Sequence, residues 1–219
     1  PTRVRSSAAS DVYKRQREAR GEYLLFLNND VEIITENWLE EMLQLCQQKD
    51  VGMVGAKLYY PDDTIQHAGV VVGLGGVAAH VLCKLPRDAE GYMGRLRCVQ
   101  EISAVTAACM MVKTSVFKAV GGFDEELKVA FNDIDLCMKV RKYGVKMVFT
   151  PYAELYHYES KSRGMEDTPE KQLRFSREVN CFRRKWEREL LKGDPYYNPN
   201  LTLNNTDCSL RKPVSYTHL

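Results

Sequence analysis

Tyr23–Asp30 reads YLLFLNND and runs on into Val31 and Glu32. A run of apolar residues stops at two amides and a carboxylate. Five of the six residues Tyr23–Asn28 are apolar, the pattern of a strand buried on both faces. Polar residues at the exit of such a strand sit at the edge of an α/β sheet, where ligands bind. A carboxylate beside a short amide pair suits a divalent cation and the phosphates it carries. A plain strand-to-turn junction, where Asn and Asp bond locally, accounts for the same residues.

Outward from this stretch, strands alternate with helices. Thr35 offers an N-cap to a helix whose apolar positions are Trp38, Leu39, Met42, Leu43 and Cys46. Val51–Tyr60 reads as a second buried strand, and Pro61-Asp62-Asp63 as a turn. Ala68–Val81 is glycine-rich and apolar, a strand with an irregular loop, and Arg87–Arg97 reads as an exposed loop. Glu101–Val112 returns to a core pattern. A short helix over Ser115–Val120 ends at Gly121-Gly122. A further helix starts at Asn132 or Asp133 and stops at Gly144. Val145–Thr150 and Glu154–Tyr158 read as two strands. Thr168-Pro169 opens a long basic helix to about Leu191. The sum is an α/β chain, a mixed sheet flanked by helices.

The 219 residues suffice for one well-packed domain, and 44% apolar with 27% charged residues is a globular composition. The net charge of +2 comes from the ends, since residues 17–211 alone carry −2. That excludes an electrostatic footprint for nucleic acid. The seven cysteines show no CxxC pair and read as reduced core residues of a cytoplasmic protein. Thr64–Cys83, the longest uncharged stretch, holds Gln66, His67, His80 and four glycines, a poor membrane span.

Residues 1–16 and 212–219 lack hydrophobic periodicity and resemble translated adapter or vector sequence, or else disordered tails. The expected division is therefore 17–193 as the domain and 194–211 as a C-terminal extension.

Four clusters could carry chemistry. Asn28-Asn29-Asp30 is the first. Phe131-Asn132-Asp133-Ile134-Asp135 is the second. As a helix start it reads as Asn132 capping and two aspartates complementing the dipole. The same physics suits a carboxylate that accepts a proton from a hydroxyl. The third, Tyr156–Gly164, places His157 before Lys161 and Arg163, residue types that bind metal and phosphate oxygens. The fourth, Gly121–Glu125, is a turn nine residues before Asp133. The glycines at 73–76 match neither a dinucleotide nor a Walker loop.

In order, LLFLNND, GGFDE, FNDIDLCMKV and YHYESKSRG resemble the C-terminal two-thirds of a family-2 glycosyltransferase, closest to bacterial rhamnosyltransferase-like members. The resemblance covers roughly Arg17–Arg211. It implies a GT-A fold whose first strands are missing here, and inverting transfer from a nucleoside-diphosphate sugar. It puts Asp30 at the metal position with His157, the cation being Mg²⁺ or Mn²⁺. Asn28 stands where the family has its first acid. Asn28, Asn29, Lys161 and Arg163 fall on the donor diphosphate, and Gly122, Phe123, Asp124 and Asn132 on the acceptor. Asp133 matches the general base. The implied partners are the sugar nucleotide and a saccharide or lipid-linked acceptor in cell-surface polysaccharide synthesis, in the cytoplasm or at the inner face of the plasma membrane. Too few residues precede Asp30 for a nucleotide-base pocket, so the chain is expected to be incomplete alone. A nucleotidyltransferase on a related sheet and a non-catalytic binding module remain alternatives. The basic helix reads as a solvated face, or as a membrane contact through Arg183, Arg184, Lys185 and Arg188.

Overall fold

The computed structural model describes residues 19–158 and 168–212. In chain order its strands are β1 (Tyr23–Leu27), β2 (Val31–Ile33), β3 (Val51–Tyr59), β4 (Ile65–His67), β5 (Val70–Val72), β6 (Ala78–His80), β7 (Gln100–Glu101), β8 (Cys109–Lys113) and β9 (Lys146–His157). The helices are α1 (Trp38–Cys46), α2 (Thr114–Ala119), α3 (Asn132–Tyr143), α4 (Pro169–Lys185) and α5 (Glu187–Lys192). Five strands lie side by side in the order β1-β8-β3-β9-β2; β4 adds to β3 and β7 to β9. β5 and β6 form a separate antiparallel ribbon.

β3 is the spine. All nine of its residues are buried, and it runs parallel to β9 and antiparallel to β8. Gly55 lies where a Cβ would come within 2.3 Å of Val105, so only glycine fits. One core joins Trp38, Met42 and Cys46 of α1 to Val54, Leu58 and Leu155. A larger one joins Phe117, Ile134, Phe149 and Phe182. The seven cysteines are free. Burial pushes the thiols of Cys46 and Cys109 up to about 11 and about 12.

Several expectations are corrected here. β1 is not buried on both faces: it lies at the end of the strand order, Leu24 alone is buried, and Leu25 and Leu27 are 36% and 41% exposed. An apolar run records what a strand can bury; neighbours decide what it does bury. The strands expected at Val145–Thr150 and Glu154–Tyr158 are one, β9, continued through a register shift against β3. Residues 92–97 coil into a 3-10 turn that buries Leu96, rather than an exposed loop. The cap of α1 falls on Asn37, and the Thr35 hydroxyl instead accepts from the Glu154 N–H at 3.2 Å. The long basic helix begins at Pro169 behind a Thr168 cap, but breaks at Trp186. Trp186 turns its ring inward, where its indole N–H meets a buried carboxylate.

Candidate active site

β1 ends beside the end of β9. The Asn28 amide nitrogen lies 3.0 Å from His157 Nε2, and Asp30 Oδ1 lies 3.3 Å from the same nitrogen. β2 carries Asp30 there, because Val31 pairs with His157 and the Tyr158 N–H donates to the Asp30 carbonyl. The other face of the ring belongs to Gln66 on β4. Its side-chain oxygen is 2.6 Å from His157 Nδ1, and its amide donates to the His157 carbonyl at 3.2 Å.

These contacts favour one arrangement of the ring protons. A carboxamide oxygen only accepts, so Nδ1 carries the hydrogen. With the hydrogen on Nδ1, the Nε2 lone pair faces the Asn28 amide nitrogen, which only donates. Asp30 Oδ1 therefore faces a lone pair and has no donor: it is buried without a hydrogen-bond partner. The Asp30–His157 approach is an ion pair only when the ring is doubly protonated. An orphaned carboxylate oxygen beside an imidazole lone pair suits a cation. Among the described residues no three His, Cys, Asp or Glu side chains form a metal cluster. Asp30 and His157 could supply two ligands, with substrate phosphates completing the shell. Asn29 is exposed at the same turn. Lys161 and Arg163 lie outside the described residues.

Asp133 reaches the region from another direction. Its Oδ2 accepts from the Ala107 N–H at 3.1 Å and its Oδ1 from the Ile134 N–H at 2.9 Å. The next residue, Ala108, accepts from the Asn28 N–H through its carbonyl at 2.9 Å. The start of α3 and the exit of β1 are thus fastened to consecutive residues. Asn132 is not the cap: its side-chain oxygen accepts from the Asp133 N–H at 2.7 Å, and the cap position is Phe131, at φ +62°. A phenylalanine with positive φ is strained. Phe175 and Phe182 of α4 hold it, with ring centroids 5.8 and 5.3 Å away, and the buried Glu178 accepts from the Ala130 N–H at 2.7 Å.

Gly122, Phe123 and Asp124 are occupied in the framework. Phe123 is buried against Phe26 and Phe117. The Gly122 carbonyl accepts from Lys139, and Asp124 pairs with Lys185. The hydrogen bond from Lys185 holds the Asp124 carboxyl below the usual range. Lys185 and Lys139 also reach Asp135, at 2.7 and 3.2 Å, and the Trp186 indole N–H donates to it at 2.8 Å. Of the four cations considered for membrane contact, Lys185 is spent on this network, and Arg183 Nε donates to the Gly76 carbonyl at 3.2 Å.

A family profile described as "Glycosyltransferase like family" matches residues 2–178. The chain belongs to the family-2 glycosyltransferases. This family-2 chain is 56% identical over 197 residues to "Uncharacterized protein y4gI" of Sinorhizobium fredii, covering 90% of the chain and 22% of that protein. It is 41% identical over 197 residues to "O-antigen biosynthesis protein RfbC" of Myxococcus xanthus, covering 90% and 15%. It is 36% identical over 62 residues to an N-acetylglucosaminyl-diphospho-decaprenol L-rhamnosyltransferase of Mycobacterium tuberculosis, covering 28% and 20%. The chain thus spans less than a quarter of each of these relatives. In fold it is similar to the mannosyltransferase PcManGT of Pyrobaculum calidifontis, solved with GDP-Man and Mn²⁺ (TM-score 0.53, 16% identity, 84% of this chain and 44% of that one). It is also similar to GalNAc-T7, solved with UDP, GalNAc and Mn²⁺ (TM-score 0.59, 14% identity, 84% and 35%). The fold of this glycosyltransferase is GT-A-like. Among the described residues no helix is long and apolar enough to cross a membrane.

Sequence reasoning missed Gln66, Ala107-Ala108, Phe131 and Glu178. A glutamine and a histidine inside the apolar stretch Thr64–Cys83 were the available signal for Gln66. Ala107-Ala108 act through backbone groups and Phe131 through a strained dihedral, which leave no mark in residue type; Glu178 acts through its own carboxylate on a backbone N–H 48 residues away.

Proposed function

We propose that this glycosyltransferase transfers a sugar with inversion from a nucleoside-diphosphate donor to a hydroxyl acceptor, in cell-surface polysaccharide synthesis. The observation that carries the reading is the meeting of two carboxylate-bearing elements on Ala107-Ala108. Asp30 Oδ1 and His157 Nε2 would hold a divalent cation, Mn²⁺ or Mg²⁺. When bound, that ion supplies Lewis-acid stabilisation of charge on the leaving diphosphate. Asn28 and Asn29 offer amide donors to phosphate oxygens, and Lys161 and Arg163 follow His157 in sequence as cations for the same group.

Asp133 takes the proton from the acceptor hydroxyl as that oxygen attacks the anomeric carbon from the face opposite the leaving group. The two backbone N–H groups on its carboxylate aim it without exhausting its lone pairs. A single displacement needs no second, nucleophilic carboxylate. Asn132 is the acceptor residue nearest this base in sequence. Gly122, Phe123 and Asp124 would shape the acceptor wall from behind. The named relatives favour a saccharide or lipid-linked acceptor. A nucleotide-sugar donor places the reaction in the cytoplasm, and a lipid-linked acceptor would bring it to the inner face of the membrane.

The test is incubation with a panel of nucleoside-diphosphate sugars and Mn²⁺. Release of nucleoside diphosphate, lost on adding EDTA and in Asp30→Ala, is the expected result. In a parallel incubation with nucleoside triphosphates and sugar 1-phosphates, release of pyrophosphate would make the protein a nucleotidyltransferase. Neither release nor binding of any donor, in a protein that also carries a nucleotide-base pocket, would leave a non-catalytic module.

A further inference from the structure

We propose that Gln66 is a positioning residue that holds His157 in the one tautomer able to act as a metal ligand. The inference rests on the reading of Asp30 and His157 as the cation site. The imidazole has two neutral forms. With hydrogen on Nε2, the ring would donate to Asp30 Oδ1, 3.3 Å away, and the site would close on itself. With hydrogen on Nδ1, the Nε2 lone pair, which faces the Asn28 amide, can turn to a cation held beside the Asp30 carboxylate.

Gln66 selects the second form by a two-point grip. Its side-chain oxygen takes the Nδ1 hydrogen at 2.6 Å, and its amide binds the carbonyl of the same histidine at 3.2 Å. The second bond excludes the flipped amide, which would set oxygen against oxygen. Gln66 is 4% exposed, so water competes little for either contact. β4 and β9 both flank β3, and this register brings residues 91 apart in sequence side by side. On the opposite side the Asn28 amide nitrogen lies 3.0 Å from Nε2, a contact that fits the same tautomer. The pinned Gln66 amide thus keeps the proton off the nitrogen that faces Asp30. The orphaned Asp30 oxygen is the consequence. Partners of this kind fix ring orientation and raise ligand basicity at metal-bound histidines.

The experiment is histidine ¹⁵N NMR on the metal-free protein at neutral pH, followed by titration with Mn²⁺ alone. The wild type is expected to show His157 protonated on Nδ1, with its signals broadened by Mn²⁺. In Gln66→Leu the hydrogen moves to Nε2, and Mn²⁺ affinity falls about 10–100-fold. Gln66→Glu keeps an acceptor at Nδ1 but loses the donor to the His157 carbonyl, so it should keep the hydrogen on Nδ1; a bulk structural defect would not spare the tautomer in this way. Wild-type His157 protonated on Nε2 overturns the proposal without any variant. So does a Gln66→Leu protein with native tautomer and native Mn²⁺ affinity. Protonation on Nδ1 with no Mn²⁺ broadening would overturn the metal reading of Asp30 and His157, yet support the hold of Gln66 on the ring.

Discussion

The exit of β1 and the start of α3 each present a carboxylate, and the two are held by opposite means. Asp30 sits among side chains that leave one of its oxygens without a donor. Asp133 has both oxygens bonded to backbone N–H groups, and a dense polar network lies beneath it. There Asp135 is fully buried and is met by Lys139, Lys185 and Trp186. An unsatisfied acceptor costs stability unless something binds it. A satisfied and braced one keeps its aim. The first arrangement suits a seat for a ligand that comes and goes. The second suits a group that must point at one atom in every turnover.

The sharpest way to break this contrast is Asp133→Asn. It should lower kcat on the order of 10²–10⁴-fold with donor binding unchanged, in steady-state transfer assays. Near-normal turnover would remove Asp133 as base. Next is Asp135→Ala, which leaves two lysines and an indole N–H without their common partner. Urea denaturation should show a loss of about 3 kcal/mol, the low end for a broken buried pair, because the Lys185 side chain is 33% exposed. Asp30→Ala, by contrast, should leave stability within about 0.5 kcal/mol of wild type, since its buried Oδ1 has no donor to lose. Equal costs at the two aspartates would erase the distinction.

A smaller effect tests the brace on α3. Glu178→Ala strips the acceptor from the Ala130 N–H and should cost about 2 kcal/mol. If Glu178 aligns Asp133 as well, kcat falls while KM for donor holds; a change in neither would make Glu178 irrelevant to the base.

The smallest effect concerns pH on the metal side. Burial, and then the charges of His80 and His157, keep His67 well below its ordinary 6.5. Below that value the unfolded chain binds a proton that the folded chain refuses. Its contribution is therefore complete above pH 6.5 and lost as pH falls, by up to about 1.4 kcal/mol per unit. His67→Gln should flatten the fall in urea midpoint between pH 6.5 and 5.5. An unchanged slope would show that other groups set it.

Much of the architecture was legible in residue types. Thr168-Pro169 starts α4, and Gly144 ends α3 at φ +95°. Trp38, Met42 and Cys46 mark the buried face of α1. These signals are local, carried by backbone freedom and side-chain period, and survive any tertiary arrangement. The place of β1 was not legible, because YLLFL reads the same at an edge as in mid-sheet. Nor was the break at Trp186, whose indole turns toward a carboxylate 51 residues away. The strained Phe131 was equally invisible, since nothing in its side chain asks for a positive φ.

YLLFLNND, FNDID and YHY state which chemical groups are present and that each stands where an element begins or ends. That follows from composition and short-range preference alone. Which groups meet is another matter. Asn28 touches His157 across 129 residues, and Gln66 touches it across 91. Those distances close because β2, just after Asn28, pairs with β9 and because β4 and β9 both flank the fully buried β3. Local pattern names the donors and acceptors. Long-range strand pairing, driven by the core, assigns each its partner, and with it the proton on His157.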